Sequence, residues 1–290
     1  MDLSIPMLSV AIPDSSLAEE STLREKSIKA ARIARILAIF GVESVLIYRD
    51  ATGDHRRDGM LLKLVLEFMD TPQYLRKRLY GRMKDLRYAG LFPPLKAPHH
   101  RPYVRLEDVR VNDLRQGVVL KIGDRYYVDV GLDEPVPLEH DARVGERVSI
   151  VFTSPYPEMR CRIARRDEIE GYWGYNVRYT GSVTDLLRSL KGKEKGKGKG
   201  KGGEGKNLVI VTSKLGRPVR EIEHDIASAD SILLIFGSPY RDVQEIAGRG
   251  LAGVDMPVYN FFPEQRVESI RLEEAMLGCL AVVNYIRDLS

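Results

Sequence analysis

The sequence predicts an α/β fold with a parallel sheet, interrupted by a small all-β segment, and three observations carry that reading. The chain opens strand–helix–strand. From about residue 103 to 170 it passes through short alternating strands and turns without a long helix. After residue 208 it returns to buried strands that end in glycine turns. A chain of 290 residues holds one large or two ordinary domains with ample core. The economical division is one α/β domain in two parts, residues 1–98 and 171–290, split by a β insert over residues 99–170.

Taken in order, Leu8-Ser-Val-Ala-Ile12 reads as a strand stopped by Pro13. Ser21 or Thr22 caps a helix that runs to about Phe40, with Gly41 as its C-terminal stop. Val45-Leu-Ile-Tyr48 is a second strand. Apolar spacing predicts a helix over residues 60–69, and Pro72 opens another through Tyr80. Pro93, Pro94, Pro98 and Pro102 mark the entry to the insert. There, residues 116–122 and 125–130 flank Gly123-Asp124, a two-residue hairpin signal, and Arg147-Val-Ser-Ile-Val-Phe152 is a further strand. The insert is a small barrel or sandwich, of a size matching an OB-like module. Two strand-then-glycine turns follow, Leu208-Val-Ile-Val-Thr-Ser-Lys-Leu-Gly216 and Ile232-Leu-Leu-Ile-Phe-Gly-Ser-Pro239. The third segment starts at Asn260-Phe-Phe, breaks at Pro263, and passes through Ser269-Ile-Arg-Leu-Glu-Glu-Ala275 into a helix ending near Ile286. Three such strands set three loops at one edge of a parallel sheet, where open α/β folds bind nucleotide-like ligands.

Composition narrows the class. Apolar content of 43% with 30% charge describes a globular chain, and no apolar run reaches the ~18 residues of a membrane helix. The N-terminus lacks a secretory layout, and two cysteines make no disulfide framework, so a cytoplasmic address is expected. The formal net charge of +4 comes from residues 191–206, which hold seven Lys, two Glu and seven Gly; without them 38 basic residues face 39 acidic ones. With nothing to bury, this tract is expected to be a flexible loop, either a sequence-blind phosphate contact or a solubilising spacer. A phosphate-binding Gly-x-x-x-x-Gly-Lys-Ser/Thr loop does not occur, which argues against a GTPase or kinase. His99 and His100 are adjacent and lack further ligands, so no metal site is expected.

Several motifs, in order, resemble the SPOUT superfamily of methyltransferases, which carry a trefoil knot and bind S-adenosylmethionine. Closest is its family of RNA uridine methyltransferases with an inserted OB-like domain. The resemblance rests on Ser9-Val-Ala-Ile-Pro13, Ile33-Ala-Arg-Ile-Leu-Ala-Ile-Phe40, Pro72-Gln-Tyr-Leu-Arg-Lys77, Asp85-Leu-Arg-Tyr-Ala-Gly-Leu91, Ala97-Pro-His-His100, Tyr172-Trp-Gly-Tyr175, Thr212-Ser213 and residues 269–275. It implies a SPOUT-like knotted domain interrupted by an OB-like barrel, acting as a homodimer on RNA, with ribosomal RNA uridine ring nitrogen 3 as the target. It further implies a pocket for S-adenosylmethionine made by three C-terminal loops. Matching positions are Thr212, Ser213 and Gly216; Phe236, Gly237 and Ser238; and Asn260, Phe262, Pro263, Gln265, Ile270, Leu272 and Ala275. Backbone groups freed at strand ends would read adenine and ribose there, with Ile270 and Leu272 supplying apolar contact.

Arg35 is the first catalytic candidate, because related ribose methyltransferases place an Arg six residues before the glycine that closes the first helix. On a helical wheel Lys29 and Arg32 share a polar stripe and Arg35 lies ~60° beyond it, between alanines and isoleucines. The ribose enzymes have Glu where this chain has Pro239 and Asn where it has Arg271, so base methylation is expected. Arg35 or Arg271 would then stabilise the developing uracil anion, and Glu274 or Glu273 would accept the proton. A glutamate in a first helical turn complements the helix dipole regardless, which leaves the base open. In the insert, Lys121, Arg125, Tyr126 and Tyr127 combine cations with rings for RNA, although one of the adjacent tyrosines should face the core. Trp173 lines an entry or braces a joint. The alternative from another class is a non-catalytic RNA-binding or ribosome-assembly factor that keeps the SPOUT scaffold.

Overall fold

A computed structural model describes residues 7–101, 105–196, 206–248 and 257–289, with only the backbone described over 191–196. In chain order its elements are β1 (Leu8–Pro13), α1 (Leu23–Ile39), β2 (Ser44–Arg49), α2 (Arg56–Asp70), α3 (Gln73–Tyr80), β3 (Leu114–Ile122), β4 (Arg125–Asp129), β5 (Val136–Pro137), β6 (Arg147–Ser154), β7 (Arg160–Ile163), β8 (Asn176–Ser182), α4 (Val183–Gly196), β9 (Asn207–Pro218), α5 (Glu223–Ala227), β10 (Ser231–Ile235), α6 (Val243–Ala247), β11 (Val258–Asn260) and α7 (Leu272–Asp288). Two compact units result. The first comprises Met1–Glu67, Tyr88–Pro93 and Tyr175–Ser290; the second comprises Phe68–Arg87 and Pro94–Gly174.

The first unit is built on a six-stranded sheet in the order β11-β9-β10-β1-β2-β8, with every neighbouring pair parallel. β1 and β10 are buried along their whole length, as central strands covered on both faces must be, and this explains their continuous apolar runs. Alternation sends Ala11, Leu46, Leu233 and Ile235 to one face, where they pack with Val183, Leu186 and Leu187 of α4 and Val243 and Ile246 of α6. After β9 the chain goes to β10 and then returns past β9 to β11 on its other side. α1 starts on a capping box: Thr22 Oγ1 accepts from the Glu25 N–H (3.2 Å) and Glu25 Oε2 accepts from the Thr22 N–H (3.0 Å). Gly41, at φ 65°, ends that helical segment.

In the second unit the antiparallel order is β5-β4-β3-β6-β7. Gly123, at φ 60°, makes the expected β3–β4 hairpin turn. Val119, Val128, Ile150, Phe152 and Cys161 form its core. A parallel bridge between Leu138 and Cys161 links the β5 and β7 ends of the sheet.

The elements differ from expectation in several places: β11 ends at Asn260, where the third strand was expected to begin, and β8, α4, α5 and α6 were not foreseen. α2 begins at Arg56 rather than residue 60. α4 carries helical backbone through Gly196, into the Lys/Gly tract, because extending a helix already anchored by Val183, Leu186 and Leu187 costs far less than starting one. The loop expectation for residues 197–205 lies outside the described residues.

Candidate functional site

Six parallel strands place their carboxyl ends along one edge of the first unit. At the β11-β9-β10 end of this edge lies a cavity of about 560 Å³. Its first wall comes from a slip in the ladder. Pairing of β9 with β11 jumps from Val258↔Val211 to Tyr259↔Arg217, so residues 212–216 leave the register while keeping an extended backbone. The expected loop is therefore a bulge inside one long strand. Thr212 Oγ1 donates to the Ile235 carbonyl (3.2 Å), and Ser213 Oγ donates to Asp242 Oδ2 (2.7 Å), tying the bulge to the second loop. Asn260 Nδ2 donates to the Lys214 carbonyl (3.0 Å), tying it to the third. Gly216 permits the close approach of strands: a Cβ there would sit 2.6 Å from the Tyr259 backbone.

The second wall follows β10. Phe236 is buried, its N–H donates to the Ala11 carbonyl (2.9 Å), and its carbonyl accepts from Tyr48 Oη (2.6 Å). Its N–H and carbonyl are thus both engaged within the protein, so the expectation of free strand-end groups is not met at this residue. Gly237 is forced by the turn that follows, since a Cβ would lie 2.5 Å from the Arg241 carbonyl. Ser238 closes that turn, donating from its N–H to the Arg241 carbonyl (2.9 Å) and accepting from the Arg241 N–H on Oγ (3.0 Å).

Asn260 shapes the third wall, its Oδ1 accepting from the Phe262 N–H (2.8 Å). The Phe262 ring lies against α7 where only Gly278 leaves room, a Cβ there being 2.4 Å away. Gln265 Nε2 donates to the Val267 carbonyl (2.6 Å). Ile270, Leu272 and Ala275 complete the wall from the start of α7.

The cavity therefore gathers Thr212, Ser213, Phe236, Gly237, Ser238, Asn260, Phe262, Gln265, Ile270, Leu272 and Ala275, while Gly216 and Pro263 do not line it. Sequence reasoning missed Tyr240, Arg241, Asp242, Glu245, Tyr259 and Cys279. One signal was available: Asp242 and Glu245, three apart before an apolar pair, form a capping box on α6, with Glu245 Oε2 accepting from the Asp242 N–H (2.9 Å). Burial pushes the Cys279 thiol well up, so it acts as wall rather than nucleophile.

None of the three catalytic candidates lines this cavity. Arg35 lies partly buried on α1. Arg271 is the N-cap of α7, with Nη1 3.4 Å from Glu20 Oε1, and its side chain is 57% exposed. Glu274 Oε2 accepts from the Arg271 N–H (3.0 Å), a helix-capping contact. Glu273 instead meets Lys29 of α1 at 3.4 Å, both being buried. Burial lowers the Lys29 pKa, and the charge of Glu273 offsets only part of that.

In the second unit the hairpin brings Lys121, Arg125, Tyr126 and Tyr127 together. Lys121 pairs with Tyr126 across the ladder, its Nζ 5.5 Å from the ring centre, while Tyr126 also packs partly against the core. His99 and His100 both set Nε2 2.8 Å from the Asp70 carbonyl, and Asp70 takes Arg147 Nη2 at 2.6 Å. Trp173 Nε1 donates to Ser149 Oγ (2.9 Å) in the same unit. Among the described residues there is no group of three or more His, Cys, Asp or Glu able to hold a metal ion, and no helix is long and apolar enough to cross a membrane.

A cleft walled by three strand-end segments of a parallel sheet is the site of an enzyme or binding protein for a nucleotide-like molecule. Residues 7–283 match the family described as "Putative RNA methyltransferase", and the chain belongs to that family of RNA methyltransferases. It is 29% identical over 95% of its length to a 28S rRNA (uridine-N(3))-methyltransferase of Drosophila melanogaster, of which it spans 61%. The human protein of the same name is 25% identical over 95% of this chain and 77% of its own length. A Halobacterium salinarum protein of uncharacterised function is 28% identical over 94% of this chain and 96% of its own length. The family requires a methyl donor.

Proposed function

We propose that the chain transfers a methyl group from S-adenosylmethionine to ring nitrogen 3 of a uridine in ribosomal RNA. The observation that carries this is the convergence of the β9, β10 and β11 ends on one 560 Å³ cavity in a chain of this family. The residues present fit the cofactor. Phe236, Ile270 and Leu272 offer apolar surface for an adenine, Thr212, Ser213, Asn260 and Gln265 offer polar groups for a ribose, and the volume lies within the ~300–1,000 Å³ usual for small-molecule sites. When bound, S-adenosylmethionine supplies an electrophilic methyl group on a sulfonium. The protein's own task is to align the uracil and manage its one proton. Buried Phe236 and Leu272 give the cavity an apolar part, while the Ser213–Asp242 hydrogen bond fixes the bulge against the second loop.

The finer architecture belongs to the same reading. A SPOUT trefoil knot is supported by the return of the chain past β9 to β11, and an OB-like barrel by the Leu138–Cys161 bridge between the sheet's two end strands. The insert over residues 99–170 belongs to this proposal, while the compact second unit also takes in Phe68–Arg87 and runs from Pro94 to Gly174. A homodimer is supported by α7, where Leu277, Ala281 and Tyr285, four residues apart, form an exposed stripe. Arg35, Arg271 and Glu274 then act on the uracil only once a second copy brings them to a cavity, as stabilisers of the anion and acceptor of the proton. Lys121, Arg125, Tyr126 and Tyr127 grip the RNA from the hairpin.

Calorimetric titration with S-adenosylmethionine, followed by mass-spectrometric mapping of methyl marks on ribosomal RNA, tests the reading. Saturable binding, about one per chain, with a new methyluridine that disappears in Arg35→Ala, is the expected result. RNA binding without any turnover would overturn the enzyme reading and leave a non-catalytic RNA-binding factor.

A further inference from the structure

The same sheet edge carries a second cavity, of about 450 Å³, at the ends of β1, β2 and β8. It holds a polar pair, Asp14 buried and Tyr179 half-buried. Asp14, 1% exposed, accepts from the Asp50 N–H on Oδ1 (2.9 Å) and from Tyr179 Oη on Oδ2. Both carboxylate oxygens are engaged, and burial followed by the Asp14 contact pushes the Tyr179 phenol well up, so its hydroxyl stays a hydrogen-bond donor. The Tyr179 ring is locked from above by Gly59 of α2, where a Cβ would lie 2.5 Å from Asp14 Cβ and 2.9 Å from Tyr179 Cε2. A rigid aromatic face results, with Met60, itself 50% exposed, on the same wall. Arg49 and Arg56 stand at the rim, both exposed, and no hydrogen-bond or ion-pair partner for either guanidinium occurs among the described residues. Asp54, the other carboxylate on the rim, is turned to the helix start, its Oδ1 accepting from the Arg56 N–H (3.4 Å).

Two unpaired guanidiniums beside a fixed ring and a thioether match the two parts of a nucleotide. Guanidinium forks take phosphate oxygens, and an aromatic face takes any base by stacking. We propose that this cavity binds a nucleotide of the RNA other than the one being methylated, with its phosphate on Arg49 and Arg56 and its base against Tyr179 and Met60. The proposal rests on the reading of the chain as an RNA methyltransferase. The sheet edge then holds the cofactor at its β11-β9-β10 end and RNA at its β1-β2-β8 end, which orders the strand along the edge.

The test uses the full chain and a fluorescein-labelled oligouridylate. Binding is followed by anisotropy over a series of salt concentrations, for wild type and for Arg49→Ala/Arg56→Ala. Both arginines are exposed, so the variant should fold, and its S-adenosylmethionine affinity by calorimetry should equal that of wild type. The expected result is weaker RNA binding, with the log–log salt slope reduced by about 0.7 per arginine, as for lost single-strand phosphate contacts. A second readout is photo-crosslinking of thiouridine-substituted RNA, with adducts expected on Tyr179 or Met60. An unchanged slope, or adducts confined to the β3–β4 hairpin, overturns the site while leaving the methyltransferase reading intact. Failure of wild type to bind both RNA and S-adenosylmethionine overturns that reading and the site with it.

Discussion

The two units solve the problem of a stable interior differently. In the first, β1 and β10 are covered on both faces and their side chains are apolar apart from Ser9 and Ser231; charge enters the interior where Lys29 meets Glu19 and Glu273 and where Asp14 and Asp50 lie buried beside the strand ends. In the second, a small antiparallel sheet has less apolar area to bury, and a charged centre sits beside it. Asp70, at 1% exposure, takes Arg147 on Oδ2 (2.6 Å) and His99 Nε2 on Oδ1 (3.1 Å), while Arg147 Nη1 also donates to Thr71 Oγ1 (2.9 Å). Gly174 is required there, because a Cβ would lie 2.5 Å from Asp70 Oδ1. Apolar burial is non-directional and tolerates local change, whereas a buried ion network fails as a whole when one member is removed. The smaller unit is therefore the more specified and the more brittle.

The sharpest way to break this contrast is Asp70→Ala, which leaves Arg147 and His99 facing an empty anion position. A loss of about 4 kcal/mol is expected from urea denaturation. Hydrogen exchange should accelerate in β3, β4 and β6 while β1 and β10 stay protected. Leu233→Ala, in the apolar core of the first unit, should cost about 3 kcal/mol with the exchange pattern reversed. If both variants loosen both sheets equally, the units do not differ in the way described.

A smaller effect is expected from Gly237→Ala, which presses a methyl group on the Arg241 carbonyl. It should cost about 2 kcal/mol and weaken S-adenosylmethionine binding in calorimetry, whereas Gly90→Ala, at an exposed glycine with open space around it, should do neither.

Acid and alkali should separate the units again. Burial would raise the Asp70 pKa, but the His99 hydrogen bond and the Arg147 charge outweigh it and hold the carboxyl below its usual value. Its contribution is present above the unfolded carboxyl pKa near ~4 and is lost as pH falls through the folded value. Lys29 is also lowered, by burial first. There the unfolded chain holds more protons between the folded value and ~10.4, so stability rises with pH across that alkaline window. Both slopes have one sign in different ranges, and denaturation midpoints followed against pH check them, with Asp70→Asn flattening only the acid limb. The smallest change is Thr22→Ala, which removes the N-cap of α1 and should cost about 1 kcal/mol without altering cofactor binding.

Much of the fold was legible along the chain, for identifiable reasons. Ser21 or Thr22 and Gly41 marked the two ends of α1, Gly123-Asp124 marked the hairpin, and the apolar runs of β1, β9 and β10 could only be buried strands. Each of these signals is local, carried by residues within a few positions of each other. The strand-end segments of the cavity were legible for the same reason, since each ends in a break visible in sequence. Its remaining walls were not. Nothing local shows that the β9–β11 pairing slips across residues 212–216, or that the Phe236 carbonyl is taken by Tyr48, 188 residues away in sequence.

By itself, then, the sequence determined α1, α2, α3 and α7, the strands β1, β2, β9 and β10, the β3–β4 hairpin, and which three strand ends would share an edge, because propensity, capping and periodicity act over a few residues; β8 and α4 to α6 were not read from it. Only the tertiary structure decided what those ends face. It buried Asp70 beside Arg147, set Glu274 to cap its own helix, and left Arg49 and Arg56 unpaired over Tyr179. These outcomes depend on strand order and on pairings between distant residues, where desolvation fixes which polar groups must find partners inside the protein and which remain for a ligand.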